Sequence, residues 1–284
     1  MNTKKKLTIP EIAAWDGTKR KLRMLTAYDY PSARIIDQTD IELILVGDSL
    51  GMVVLGYPTT LPVTLDDMIR HTQAVVRGAP GTLVVADLPF LSYQTSPEAA
   101  VANAGRLIKE TGADAVKLEG GAHFADTVRA LVRAGIPVMG HLGLTPQNAV
   151  QLGGFKVQAR TAPAARRLLA DAQALVAAGI FALVLESIPM EVARRVTELV
   201  PVPTIGIGAG PYCDGQVLVW HDVLGLYDRF VPKFAKQYAR LGEQIREAIQ
   251  AFAQEVAAGT FPAAEHCFQM PAAEWEKFKE SGGG

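Results

Sequence analysis

GTLVVADLPFLSYQTSPEAAVANAGRLIKETGADAVKLEGG, residues 81–121, holds one complete strand–helix–strand unit. Leu83–Ala86 is a short apolar run rich in β-branched residues, and Asp87 ends it just before Leu88-Pro89-Phe90. Pro97-Glu98 opens a helical stretch with Val101, Leu107 and Ile108 on its apolar side and Gly112 at its stop. Ala115–Leu118 is a second apolar run, interrupted by Lys117 and followed by Glu119. A strand, a helix and a strand in that order imply parallel pairing.

The same alternation extends in both directions. Further strand-like runs lie at Arg23–Ala27, Leu43–Val46, Val138–Gly140, Ala182–Leu185, Thr204–Ile207 and Val217–Trp220. Helical spacing marks Leu65–Val76, with Thr64 before it and Asp66 and Asp67 in its first turn, and also Thr161–Ala178 and Pro189–Leu199. Eight runs match a closed (β/α)8 barrel, a TIM barrel, better than an open doubly wound sheet, which stays as the alternative. At 284 residues the chain has the size of one such domain, 1–284. Residues 1–20 read as a solvated N-terminal arm, 233–258 as a long C-terminal helix, and 279–284 as a disordered tail ending in Ser281-Gly282-Gly283-Gly284.

Composition narrows the function. Hydrophobic residues make up 49% of the chain, ample for a core, and the formal net charge of −1 gives no global basic field for nucleic acid or an anionic membrane. Lys4, Lys5 and Lys6 are followed at once by Ile9-Pro10-Glu11 and Asp16, so no signal-peptide core forms. No run of roughly 18 apolar residues suggests a membrane span. Cys213 and Cys267 are too few for a disulfide framework, which favours a reduced, cytoplasmic setting.

Chemistry concentrates where the strands end, the active-site face of such barrels. The second run ends in Asp48-Ser49, the third in Asp87, the fourth in Lys117 and Glu119, the fifth in His141 and the sixth in Glu186. Carboxylate oxygens suit a hard cation, so Asp48, Asp87 and Glu119 form a candidate Mg²⁺ set; without a close Cys/His group, zinc fits less well. The competing reading makes each acid a loop cap. Lys117 is a candidate clamp for a substrate carboxylate or enolate oxygen, or else a salt-bridge partner of Glu119. Glu186 is a candidate base, or an acid favouring the N-terminus of the next helix. His141 would orient a substrate hydroxyl or the base, unless it is a hydrogen-bonded structural histidine. Gly206-Ile207-Gly208-Ala209-Gly210 is followed by Pro211 and reads as close backbone packing rather than a dinucleotide loop. Residues 143–160 form a long connection at the expected mouth, of the kind used as lids or binding loops.

The stretches LTAYDYPSA from Leu25, VGDSLGMVVLGY from Val46, HTQAVVRGA from His71, VKLEGG from Val116, HLGLTPQ from His141 and GIGAGPYCDGQVLVWHD from Gly206 resemble the ketopantoate hydroxymethyltransferase family. The resemblance runs from about Met24 to Met270. It implies a barrel of the phosphoenolpyruvate/pyruvate-binding type, assembled as a decamer. It implies transfer of a hydroxymethyl group from 5,10-methylenetetrahydrofolate to 3-methyl-2-oxobutanoate, giving 2-dehydropantoate and tetrahydrofolate in pantothenate biosynthesis. Asp48, Asp87 and Glu119 would hold Mg²⁺; Asp48, Ser49, Asp87 and Lys117 would contact the oxo acid; Glu186 would accept the proton. Two positions depart from the family pattern. Leu91 stands where a smaller residue is usual, with an expected effect on the cavity wall, and Ser187 replaces the glycine expected after the base, with an expected shift of Glu186. The rival readings are a C–C or C–P lyase of the same superfamily and a non-catalytic oxo-acid-binding protein.

Overall fold

The computed structural model describes residues 4–280. Strands β1 (Leu22–Thr26), β2 (Leu43–Val46), β3 (Leu83–Asp87), β4 (Ala115–Glu119), β5 (Val138–Gly143), β6 (Ala182–Glu186), β7 (Thr204–Ile207) and β8 (Gly215–Leu218) form a closed barrel in sequence order. Every neighbouring pair is parallel, and β1 closes on β8 with Met24 opposite Val217. The open-sheet alternative is therefore excluded.

The strand period of two sorts the core into two layers. Leu22 and Met24, Leu43 and Leu45, Leu83 and Val85, Ala115, Met139, Ala182 and Val184, Ile205 and Val217 fill the barrel. The alternate residues, such as Ile44, Val84, Val116 and Leu183, pack outward against the helices. Those helices cap themselves locally. Ser96 Oγ accepts from Ala99 N–H at the start of Pro97–Thr111, and Gly112 closes that helix at φ 77°. Between β7 and β8 only residues 208–214 intervene, with no helix. Seven extended residues span roughly 23 Å, enough to run back along a four-residue strand.

Several boundaries differ from expectation. The first strand is Leu22–Thr26, one residue earlier than the apolar run. The last strand is Gly215–Leu218 and not Val217–Trp220, because Trp220 N–H leaves the ladder for Thr26 Oγ1 at 2.9 Å and starts a helix, Trp220–Leu224. The N-terminal arm is not simply solvated. Thr8 and Glu11 form a capping box that starts a helix at Ile9–Ala13, and this helix buries Ile12 in the barrel's inner cluster. The long helix begins at Leu241 and ends at Ala258, eight residues later than its expected start. Residues 225–240 instead fold back on the short helix Trp220–Leu224 and its end: Tyr238 N–H donates to Val223 O at 2.8 Å and Gly242 N–H to Gly225 O at 3.1 Å. Of the expected tail, Lys279 and Glu280 end a helix, Ala272–Glu280, and residues 281–284 lie outside the described residues.

Candidate active site

Continuing each strand's inward phase by one step past the apolar layers reaches Asp87 on β3, Lys117 on β4, His141 on β5 and Glu186 on β6, and a second step on β4 reaches Glu119. Asp48 arrives differently, from the turn after Gly47 that leads into the short helix Leu50–Val53. All six, with Ser49, line one cavity of about 590 Å³ at the carboxyl ends of the strands. Asp48, Asp87, Lys117, Glu119 and His141 are buried, and the Glu186 side chain is 15% exposed.

Pairing differs from the simplest sequence reading. Lys117 Nζ lies 2.9 Å from Asp87 Oδ1, not against Glu119. Glu119 Oε1 instead faces His141 Nδ1 at 3.4 Å, and His141 Nε2 faces Glu186 Oε2 at 3.1 Å. His141 thus bridges two acids, with Lys117 Nζ 3.3 Å from its Nδ1. Glu186 ends β6 and does not open the following helix, whose first turn carries Glu191. Ser49 Oγ is hydrogen-bonded to Tyr28 Oη at 2.8 Å.

Electrostatics follow from burial and charge spacing. Desolvation, with Asp87 and Glu119 nearby, drives the Asp48 carboxyl well above the ordinary range. Asp87 is raised by burial, against the pull of Lys117. Burial alone would lower Lys117, but Asp87, Glu119 and Asp48 outweigh it and hold the ammonium charged. Burial and Lys117 oppose protonation of His141, yet its bonds to Glu119 and Glu186 lift it to about 9. Glu119 stays low despite burial because His141, Lys117 and the Gln147 N–H stabilise its charge.

Two supporting residues carried no functional expectation. Gln147 Nε2 donates to Asp48 Oδ2 and to Leu88 O, both at 2.9 Å, while its backbone N–H donates to Glu119 Oε2 at 3.0 Å. Tyr93 Oη donates to Gln147 Oε1 at 2.8 Å and accepts from Glu119 N–H at 3.2 Å. A glutamine in the HLGLTPQ stretch gives no periodic signal, and only its burial shows the role. Leu91 does not line the cavity; it is exposed at φ 65°. Ser187 takes φ 48°, the conformation its expected glycine would favour. The neighbouring backbone is still fixed: Leu144 N–H donates to Glu186 O, Ser187 N–H to Ile207 O and Gln158 N–H to Ser187 O, each at 2.8 Å. With Ser187 in this place, the Glu186 carboxylate lies 3.1 Å from His141 Nε2.

Asp48, Asp87 and Glu119 suit a hard cation chemically. Three buried carboxylates face one lysine and one histidine, a donor set dominated by oxygen. Among the described residues no group of three or more His, Cys, Asp or Glu forms a ready-made cage. Mg²⁺ rarely needs one, since it keeps waters and takes further oxygens from its substrate.

A parallel barrel that gathers buried, mutually paired ionisable groups at its strand C-termini is built as a (β/α)8-barrel enzyme. Solved structures agree on the fold. 2,3-Dimethylmalate lyase, a PEP mutase/isocitrate lyase superfamily member, aligns with TM-score 0.59 and 17% identity over 98% of this chain and 99% of its own. Phosphonopyruvate hydrolase, solved with oxalate and Mg²⁺, gives 0.57 and 13% over 97% and 99%. Sequence is more specific: the profile described as ketopantoate hydroxymethyltransferase matches residues 6–264. The chain belongs to the ketopantoate hydroxymethyltransferase family. Proteins named 3-methyl-2-oxobutanoate hydroxymethyltransferase are 62% identical in Heliobacterium modesticaldum, over 94% of this chain and 96% of theirs. In Moorella thermoacetica the match is 62%, over 95% and 100%. In Syntrophobacter fumaroxidans it is 61%, over 98% of both chains. Family membership places the chain among the hydroxymethyltransferases, an enzyme family.

Proposed function

We propose that this enzyme transfers the one-carbon unit of 5,10-methylenetetrahydrofolate to C3 of 3-methyl-2-oxobutanoate, with water supplying the hydroxyl. The products are 2-dehydropantoate and tetrahydrofolate, a step of pantothenate and coenzyme A synthesis. The names of the relatives support the acceptor, and one observation carries the chemistry. The Glu186 carboxylate shares a cavity with Asp48, Asp87, Lys117 and Glu119, and His141 links it to them.

Asp48, Asp87 and Glu119 would hold Mg²⁺, which when bound supplies fixed positive charge to the carboxylate and 2-oxo oxygen of the acceptor. Lys117, kept charged by its acidic neighbours, compensates the negative charge that develops on the 2-oxo oxygen. The Ser49 hydroxyl hydrogen-bonds the oxo acid and fixes its register. Glu186 removes the C3 proton, and His141 holds that carboxylate at 3.1 Å while the carbon turns nucleophilic. Gln147 points Asp48 and Glu119 into the cavity by bonding their outer oxygens.

A decameric assembly and a cytoplasmic setting complete the reading. The helix Leu241–Ala258 supports self-association, since Ile245, Ile249, Phe252 and Val256 form an exposed stripe along it. No helix among the described residues is long and apolar enough to cross a membrane. The deciding assay measures 2-dehydropantoate formed from the oxo acid and methylenetetrahydrofolate, with and without EDTA. Product that disappears with EDTA and returns with Mg²⁺ is expected. No product from the Mg²⁺-supplied protein overturns the transfer, and product indifferent to EDTA removes the metal.

A further inference from the structure

The ionisable residues used so far occupy the arc from β2 to β6. In a closed eight-strand barrel β8 lies opposite β4, and that wall is built of other chemistry. Asp222, just beyond β8, lines the same cavity and is only 6% exposed. Around the mouth stand Met52, Val53, Tyr227, Phe230 and Phe234.

Asp222 is not consumed by its own helix. It is the third residue of Trp220–Leu224, where an acid commonly accepts from free N–H groups. Here the Trp220 N–H is already taken by Thr26 Oγ1 at 2.9 Å. No side-chain hydrogen bond or ion pair ties the Asp222 carboxylate to another described residue, and burial alone lifts it to about 6. A carboxylate desolvated among apolar side chains without a partner is costly to keep, and such groups mark ligand sites. The acid cluster has no use for it: the oxo acid is a small fraction of a 590 Å³ cavity.

We infer that Asp222 anchors the pterin head of the one-carbon donor, its two oxygens accepting from the ring N3–H and the 2-amino group. Those donors sit side by side on one edge of the heterocycle and match a carboxylate's paired acceptors. The flat ring is received by Tyr227, Phe230 and Phe234. Its opposite edge, which carries the transferable carbon, then faces the cavity where the acceptor lies. The assignment rests on the folate reading above and adds the group that recognises the folate.

The test compares tetrahydrofolate with 2-desamino-tetrahydrofolate by calorimetry on the full chain with Mg²⁺ and oxo acid present. The wild type is expected to prefer tetrahydrofolate at least ten-fold. Asp222→Asn, which keeps the shape and loses the second acceptor, is expected to discriminate less than three-fold, and Asp222→Ser likewise if the first variant is poorly folded. A variant that discriminates as the wild type does overturns the inference. So does a wild type that binds both folates equally, although the transfer reading survives that result. A wild type that binds neither folate overturns both.

Discussion

Glu186 reaches the cavity as the last inward residue of β6, its carboxylate 3.1 Å from His141 Nε2. If it is the base, Glu186→Gln abolishes exchange of the oxo acid's C3 proton with D2O in the absence of folate, a fall of at least ~10²-fold. Proton NMR of the acceptor reads this directly, and wild-type exchange in the variant removes Glu186 from the role. Asp222 makes a separate prediction about stability. Its folded pKa, raised to about 6, lies above the ordinary carboxylate value. The cost of burying its charge is therefore absent in acid and grows as pH rises through the folded pKa. Asp222→Asn is expected to raise the thermal midpoint at pH 8, by an amount equivalent to about 2 kcal/mol, and to lose that advantage near pH 4. An equal gain at both pH values means that the charge is not the cause. At this scale the sequence was informative for ionisable residues, because an acid or lysine breaking an apolar run is visible without coordinates. Gln147 and Tyr93 stayed hidden because polar, uncharged residues gain meaning only from the partners that burial gives them.

The barrel strands were legible as short continuous apolar runs because both of their faces are buried, and their period of two positions the site: Leu83, Val85 and Asp87 share one face of β3, as Ala115, Lys117 and Glu119 share one of β4. Irregular elements were harder. The expected helix from Lys233 carries plausible spacing, but its first turns are drawn into the cavity wall, where Phe234 rests against Gly208. That contact accounts for Gly208 in the glycine-rich stretch, as Met190 does for Gly210. Gly208 holds φ 63°, and a Cβ there would stand 2.6 Å from Phe234 Cδ1. Gly208→Ala is accordingly expected to displace Phe234, raising KM for the folate about ten-fold or more with a smaller change for the oxo acid. Steady-state kinetics with each substrate varied in turn checks this. Equal rises in both KM values would place the damage in the shared barrel mouth instead.

At the scale of the whole molecule, many exposed large apolar side chains fall in the C-terminal segment. The helix Leu241–Ala258 buries none of its residues, although Ile249 is 62% and Phe252 55% exposed on one stripe. Beyond it Phe268, Met270, Trp275 and Phe278 are also exposed. A stripe spaced by three and four residues over about three turns is the pattern of a helix that expects a neighbour. No other described element of the chain covers it, and single chains rarely leave so much apolar surface to water. The decamer proposed from family resemblance supplies that neighbour as a second copy. Ten chains of 30.4 kDa give about 304 kDa. The double substitution of Ile249 and Phe252 by Asp places two charges in the stripe without touching the barrel, whose core is separate. Sedimentation is expected to show the wild type near the decamer mass and the variant in much smaller species, with the barrel's helical circular dichroism retained. A variant still at the decamer mass shows that this helix is not part of the interface, and the search for it then moves to the outer faces of the barrel helices.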